Sequence, residues 1–271
     1  MSGRLGDLGL RFASALAMVF AALWTLHLGG LAFQLFWLAA GLAVFWEWQR
    51  MIGGGSLALR LAIGAVALCL ASFAPPDAAI MALAVGAGAL ALACDAGRRL
   101  WTAAGLAYAG ALVVSLGLLR QSPTPYAQLS ILWIFALVWG TDVMAYFGGR
   151  LIGGPKLWQA ISPSKTWSGT LTGVVCGAAL GFCATLWSAS PVSPWRVALL
   201  GLGIACLSQA GDLMESAMKR HFGVKDSSRL IPGHGGFMDR LDGFIAAATF
   251  AAAFGTLRFG DLQAAAGLFH D

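Results

Sequence analysis

One stretch of the chain reads SQAGDLMESAMKR, in which Asp212, Glu215, Ser216 and Lys219 recur at i, i+3, i+4 and i+7. That spacing gathers them on one face of a helix. Asp239 and Asp242, also one turn apart, open the next apolar run. A carboxylate at membrane depth costs about 2.5–3.5 kcal/mol, so Asp212 and Asp242, at the apolar boundary, require partners or a cation. The alternative is simple i,i+4 charge pairing on a solvated helix end. Carboxylates with no supporting His or Cys are hard oxygen donors of the kind that hold Mg²⁺. Residues 219–242, KRHFGVKDSSRLIPGHGGFMDRLD, hold eight of the 29 charged residues. Lys219, Arg220, Lys225 and Arg229 supply positive charge for phosphate oxygens. Gly235 and Gly236 let backbone N–H groups approach an anion; His234 beside them reads either as a cap or as a phosphate contact. Together these groups describe a polyphosphate site, and metal-dependent phosphoryl or nucleotidyl transfer is its natural chemistry.

A second cluster, TDVMAYFGGR, sets Asp142, Tyr146 and Arg150 along one helix face at i, i+4 and i+8. The loop after it, GGPKLWQAISPSKTWSG, offers Ser162 or Ser164 as a cap for the following helix, with Pro163 in its first turn. Lys165 then lies near a helix N-terminus, where an anion is favoured. Interfacial anchoring accounts for Trp158 and Trp167 but leaves Asp142 unexplained.

The elements that carry these residues are apolar. The 271-residue chain is 59% hydrophobic and 11% charged, against about 25% charged in soluble domains. Runs of about 20 apolar residues, enough to cross a bilayer, recur throughout. The expected fold is an all-α polytopic membrane protein of nine transmembrane helices, because only helices or closed barrels satisfy the backbone in lipid. The spans fall near 10–28, 30–49, 57–74, 77–94, 101–119, 129–148, 167–187, 195–214 and 241–259, with prolines and glycines at the joints. Five spans make an N-terminal region, 1–128. Four make a C-terminal catalytic region, 129–271, with long joints at 149–166 and 215–240. The first run reads as an uncleaved span rather than a signal peptide. The five cysteines form no C-x-x-C pair and suggest neither zinc nor a disulfide framework.

The net charge of +5 is not a nucleic-acid footprint, because the cations sort by side. Nine spans put 14 of the 17 Lys and Arg on the N-terminal side and leave Arg120, Arg196 and Arg258 on the other. Basic residues collect in cytoplasmic loops, so the N-terminus and both long joints are expected in the cytoplasm and the C-terminus outside.

These residues resemble the CDP-diacylglycerol synthase (phosphatidate cytidylyltransferase) family. Ser216, Met218, Lys219, Arg220, Lys225, Asp226, Ser228, Pro232, His234, Gly235, Gly236, Phe237, Asp239, Arg240, Leu241 and Asp242 fill every specified position of its signature. GDLMES, DxxAYxxGR and SPxKTW are similar to it as well, so the resemblance is strong over 142–243. The first five spans match only in hydropathy and in the WEW around Glu47. Three positions depart from the usual pattern: Ser168 where Glu or Gln is usual, Ser228 where Gly is common, and Gly243 where Ser is usual.

The resemblance implies that CTP and phosphatidic acid give CDP-diacylglycerol and pyrophosphate at the cytoplasmic side of a bacterial inner membrane. It implies a catalytic set of Asp212, Lys219, Arg220, Lys225, Asp226, His234, Asp239, Arg240 and Asp242. Substrate contacts are expected from Asp142, Tyr146, Arg150, Ser164, Lys165, Ser216, Gly235 and Gly236. Asp212, Asp239, Asp242 and Glu215 are the expected Mg²⁺ ligands; a monovalent cation such as K⁺ and a homodimer are further implications. A transporter would place its charges at the membrane midplane in paired halves, and these do not lie there. A CDP-alcohol phosphotransferase requires Asp-Gly-x-x-Ala-Arg, and DRLDGFIAAATF lacks that Arg.

Overall fold

The computed structural model describes residues 2–188 and 193–270. Pro191, expected at a joint, lies outside them, as do the side chains of Arg4 and Arg11. Among the described residues the long helices are α1 (Ser2–Leu28), α2 (Gly30–Ile52), α3 (Leu57–Phe73), α4 (Pro76–Leu92), α5 (Arg99–Gln121), α6 (Tyr126–Leu151), α7 (Trp167–Ser188), α8 (Pro194–His221) and α9 (Met238–Phe259), followed by the single turn α10 (Ala266–Phe269). Each of the nine long helices overlaps one expected apolar run, with α3 and α4 ending one and two residues short.

Four stretches, Gly30–Ile52, Ala96–Gln121, Tyr126–Leu151 and Pro194–His221, are long and apolar enough to cross a membrane. The shorter α3 and α4 have 17 residues each, a rise of about 25 Å at the lower end of spanning length. Their outward faces carry Val66, Leu70, Phe73, Ile80, Met81 and Val85, all more than half exposed. Such faces need hydrocarbon around them rather than water, and the chain is a membrane protein.

The chain divides into two compact units, Met1–Gly117 with Phe222–Leu241, and Leu118–His221 with Asp242–Asp271. In the first, α1 to α4 pack in sequence order. Pro75 and Pro76 separate α3 from α4: the residue before a proline avoids helical dihedrals, and a proline at the first helical position loses nothing. Polar groups hold α2 to its neighbours. Trp48 Nε1 donates to the Trp101 carbonyl at 2.7 Å, and Gln49 bridges the Thr102 carbonyl to the buried Arg60 guanidinium at 3.1 and 2.8 Å.

In the second unit α6 packs on α7 and α7 on α8. Close approach depends on small residues: a Cβ on Gly201 would lie 2.9 Å from the Gly177 carbonyl, and one on Gly211 would lie 2.7 Å from Ala246 Cβ. Phe135 stacks on Phe244 with centroids 4.7 Å apart, joining α6 to α9.

Two local expectations change. The joint after α6 is not all loop: β1 (Lys156–Trp158) and β2 (Ser162–Thr166) pair antiparallel. Pro163 is tolerated because both strands of a two-stranded hairpin are edges. Ser162 and Ser164 therefore sit in a strand and do not cap α7. Thr166 does so instead, its Oγ1 accepting from Gly169 N at 3.1 Å. The second joint is also shorter than expected, because α8 runs on to His221 and α9 begins at Met238. Helical residues at the bilayer surface need not be apolar, so hydropathy ends before the helix does.

Candidate functional site

The first unit holds the glycine- and cation-rich loop 222–241. Its fastening is a pair of carboxylates. Glu47, fully buried in α2, accepts from Phe237 N at 2.9 Å and Met238 N at 2.7 Å, the amides that open α9. It also accepts from Ser228 Oγ at 2.6 Å and Ser227 Oγ at 3.2 Å. Asp239 takes further donors of the loop: Ser227 N at 3.0 Å, Ser227 Oγ at 2.9 Å and Gly236 N at 2.8 Å. Ser227 Oγ has one proton and two carboxylates within reach, so it is shared between them.

The glycines follow from this packing. Gly235 has φ +86, and a Cβ there would lie 2.7 Å from Asp239 Oδ2. At Gly236 a Cβ would overlap both Ser227 Oγ and Glu47 Oε1. Ser228, a departure from the family's usual glycine, is thus a ligand of the Glu47 clamp.

The loop walls a cleft of about 600 Å³, whose lining includes Lys225, Asp226, Arg229, His234, Gly235 and Arg240. Lys225, Arg229 and Arg240 are exposed, and Arg240 Nε donates to the His234 carbonyl at 3.1 Å. The His234 ring meets α1: its Nδ1 lies 2.9 Å from Ser14 Oγ, a hydroxyl that also reaches the Pro232 carbonyl at 3.2 Å.

The second unit holds the acidic residues of α6, α8 and α9. Gln209, buried in α8, donates through Nε2 to Asp142 Oδ1 at 3.2 Å and accepts from Lys165 Nζ at 3.4 Å. Only this amide orientation works, since lysine has no acceptor and a carboxylate no donor. Lys165 Nζ pairs with Asp212 Oδ2 at 2.7 Å, and Ser216 Oγ donates to Asp212 Oδ1 at 3.4 Å. Asp242, half-buried, takes the Gly243 N–H at 2.8 Å and feels the charges of Asp212, Asp142 and Lys219. Glu215 is buried and pairs with Lys219 Nζ at 2.7 Å.

The remaining expected residues lie at the edges. Arg220 Nε reaches the Ile161 carbonyl at 3.5 Å, and Arg150 donates to the Tyr146 hydroxyl at 2.8 Å with both side chains exposed. Ser164 is exposed on β2. Ser168 donates to the Gly153 carbonyl and lies 3.1 Å from Thr166 Oγ1, tying the start of α7 to the turn after α6. Gly243 is a packing requirement: a Cβ would lie 2.5 Å from Ser208 Oγ and 3.0 Å from its carbonyl.

The carboxylates thus fall into two kinds. Asp142 and Asp212 repel a charge on Asp242, which Lys219 offsets in part, while Lys165 pairs with Asp212. Asp239 and Glu215 already hold close donors, which would have to be exchanged before either took an ion. Among the described residues no three acidic, histidine or cysteine side chains converge as a ready ligand cage. Sequence spacing alone missed Glu47, Gln209, Ser14 and Ser227. The signal for Glu47 was present, since a carboxylate inside an apolar run demands partners.

Relatives are similar along nearly the full length. A protein named phosphatidate cytidylyltransferase from Brucella abortus is 39% identical over 258 residues, covering 93% of this chain and 95% of its own length. One of the same name from Brucella suis gives the same values. Another of that name, from Staphylococcus saprophyticus, is 44% identical over 115 residues, 42% of this chain and 44% of its own length. The sequence profile of the cytidylyltransferase family matches residues 9–257, and the chain belongs to that family.

Proposed function

We propose that this chain is a CTP:phosphatidate cytidylyltransferase, transferring CMP from CTP to phosphatidic acid to give CDP-diacylglycerol and pyrophosphate. The observation that carries the reading is its family membership, with near full-length similarity to relatives of that name. An oxygen of the lipid phosphate attacks the α-phosphorus of CTP. The bond from that phosphorus to the bridging oxygen breaks, and pyrophosphate leaves with the electron pair. A phosphate monoester has a second pKa of about 6, so the nucleophile is largely ionised at neutral pH and needs no strong base. Catalysis is then positioning and charge neutralisation.

Lys225, Arg229 and Arg240 line a cleft suited to the phosphates of CTP, and His234 lines it beside them. Lys165 and Lys219 hold acidic partners and stand ready to neutralise phosphate oxygens. Asp142, Asp212 and Asp242 do not stand as a ready cage, but they are hard oxygen donors, and a dication would relieve the repulsion of Asp142 and Asp212 on Asp242. Mg²⁺ bound there would supply further neutralisation of phosphate charge. A monovalent cation such as K⁺, a homodimer, nine spans, and polar loops facing the cytoplasm of a bacterial inner membrane complete the reading. CTP is a cytosolic substrate, and the charge asymmetry of the joints supports that orientation.

The test is pyrophosphate release by purified protein in detergent. Release requires both CTP and phosphatidate in this reading; release from CTP alone, or none with both substrates and Mg²⁺, contradicts it.

A further inference from the structure

The second unit has another cleft, of about 590 Å³, at the far end of α8 and α9 from the acidic residues. Arg196 lies in the first turn of α8 and Arg258 in the last turn of α9. Both line this cleft, and its other walls include Leu199, Gly203, Phe250 and Phe254. Among the described residues the lining carries two guanidinium groups and no carboxylate. Arg258 is held in place: it donates to the Gly267 carbonyl at 2.9 Å and lies 5.8 and 5.4 Å from the ring centroids of Phe254 and Phe259. A guanidinium has five donors, so most remain for a ligand.

The polarity of the cleft is graded along the helices. From Arg196 to Gly203 is about 10 Å of helix, and from Arg258 to Phe250 about 12 Å. Cationic groups thus stand at the helix ends, and apolar walls run inward for most of one leaflet's roughly 15 Å. Gly203 leaves the slot open, since a Cβ there would meet nothing within 4 Å. We propose that this cleft binds an anionic phospholipid, its phosphate on Arg196 and Arg258 and one acyl chain along Gly203 and Phe250. Arginine forks suit phosphate oxygens, and apolar walls suit a chain that a free anion lacks. The site is separate from the reaction: Arg196 and Asp212 are about 24 Å apart along α8. It also gives a use to two of the three basic residues on the sparsely charged side of the expected topology.

The experiment is native mass spectrometry of the purified full-length protein in detergent, with dioleoylphosphatidylglycerol, dioleoylphosphatidylcholine or inorganic phosphate added. Phosphatidylglycerol is expected to bind at least about fivefold more tightly than phosphatidylcholine, with inorganic phosphate much weaker. Arg196→Gln removes the headgroup preference. Gly203→Leu weakens phosphatidylglycerol binding with both arginines intact, and both variants keep their transferase activity. Equal binding of the two lipids by the unaltered protein overturns the proposal, as does phosphate binding as tightly as phosphatidylglycerol. So does an unchanged phosphatidylglycerol preference and affinity in a folded Gly203→Leu protein.

Discussion

Glu47 accepts the backbone N–H of Met238, 191 residues away in sequence, at 2.7 Å. The bond ties the C-terminal part of α2 to the first turn of α9, and the same carboxylate receives the Phe237 amide and two serine hydroxyls. Glu47→Ala would strand these donors, at about 1–3 kcal/mol for each one left buried and unpaired. We expect Glu47→Ala to lower detergent-state unfolding stability by at least about 2 kcal/mol. Glu47→Gln keeps the shape but turns donors toward donors, so it should raise KM for CTP more than it lowers the melting temperature. A Gln variant with unchanged KM would show that the loop does not depend on the clamp.

Lys165 Nζ lies 2.7 Å from Asp212 Oδ2. Lys165→Met keeps the aliphatic stem and removes the charge. Its turnover should fall about 100-fold, the scale of losing one preorganised electrostatic group. The reading fails if Lys165→Met turns over at near the unaltered rate.

Gly243 stands where the family usually has serine, and Ser208 occupies the space a side chain would need. Gly243→Ser should cost about 1–3 kcal/mol through overpacking. Adding Ser208→Ala should recover part of the loss, because the Ser208 carbonyl remains 3.0 Å from the new Cβ. Thermal unfolding of the single and double variants measures this coupling; additive losses would mean that the two positions do not compete for space.

The proposed topology, nine spans with a cytoplasmic N-terminus, puts the C-terminus outside. A fluorescent reporter that matures only in the cytoplasm, fused after Asp271, should stay dark, whereas the same reporter after Arg229 should shine. Fluorescence at the C-terminus would refute the parity.

The helices were legible because apolar runs bounded by Pro and Gly leave little choice in a bilayer. The ends of α8 and α9 were not, since polar residues at the surface extend a helix without extending its hydropathy. Within the site, the i, i+3, i+4, i+7 pattern put Asp212, Glu215, Ser216 and Lys219 on one helix face, along which Ser216 meets Asp212 and Glu215 pairs with Lys219. It could not separate Asp239 from Asp242: both sit one turn apart on α9, yet one fastens a loop and the other faces Asp142 and Asp212. That distinction comes from Ser227 and Gly236, which the chain folds back onto Asp239. Glu47 was hidden for the same reason, because its partners lie about 180 to 191 residues away.

The most direct measurement follows the label from CTP carrying radioactive α-phosphate, incubated with phosphatidate, Mg²⁺ and the purified protein. Label should enter the organic phase as CDP-diacylglycerol. Transfer should stop when the metal is chelated, and in an Asp242→Asn protein that still inserts into membranes normally. Label that stays wholly in the aqueous phase, with active control enzyme in the same assay, would contradict the account.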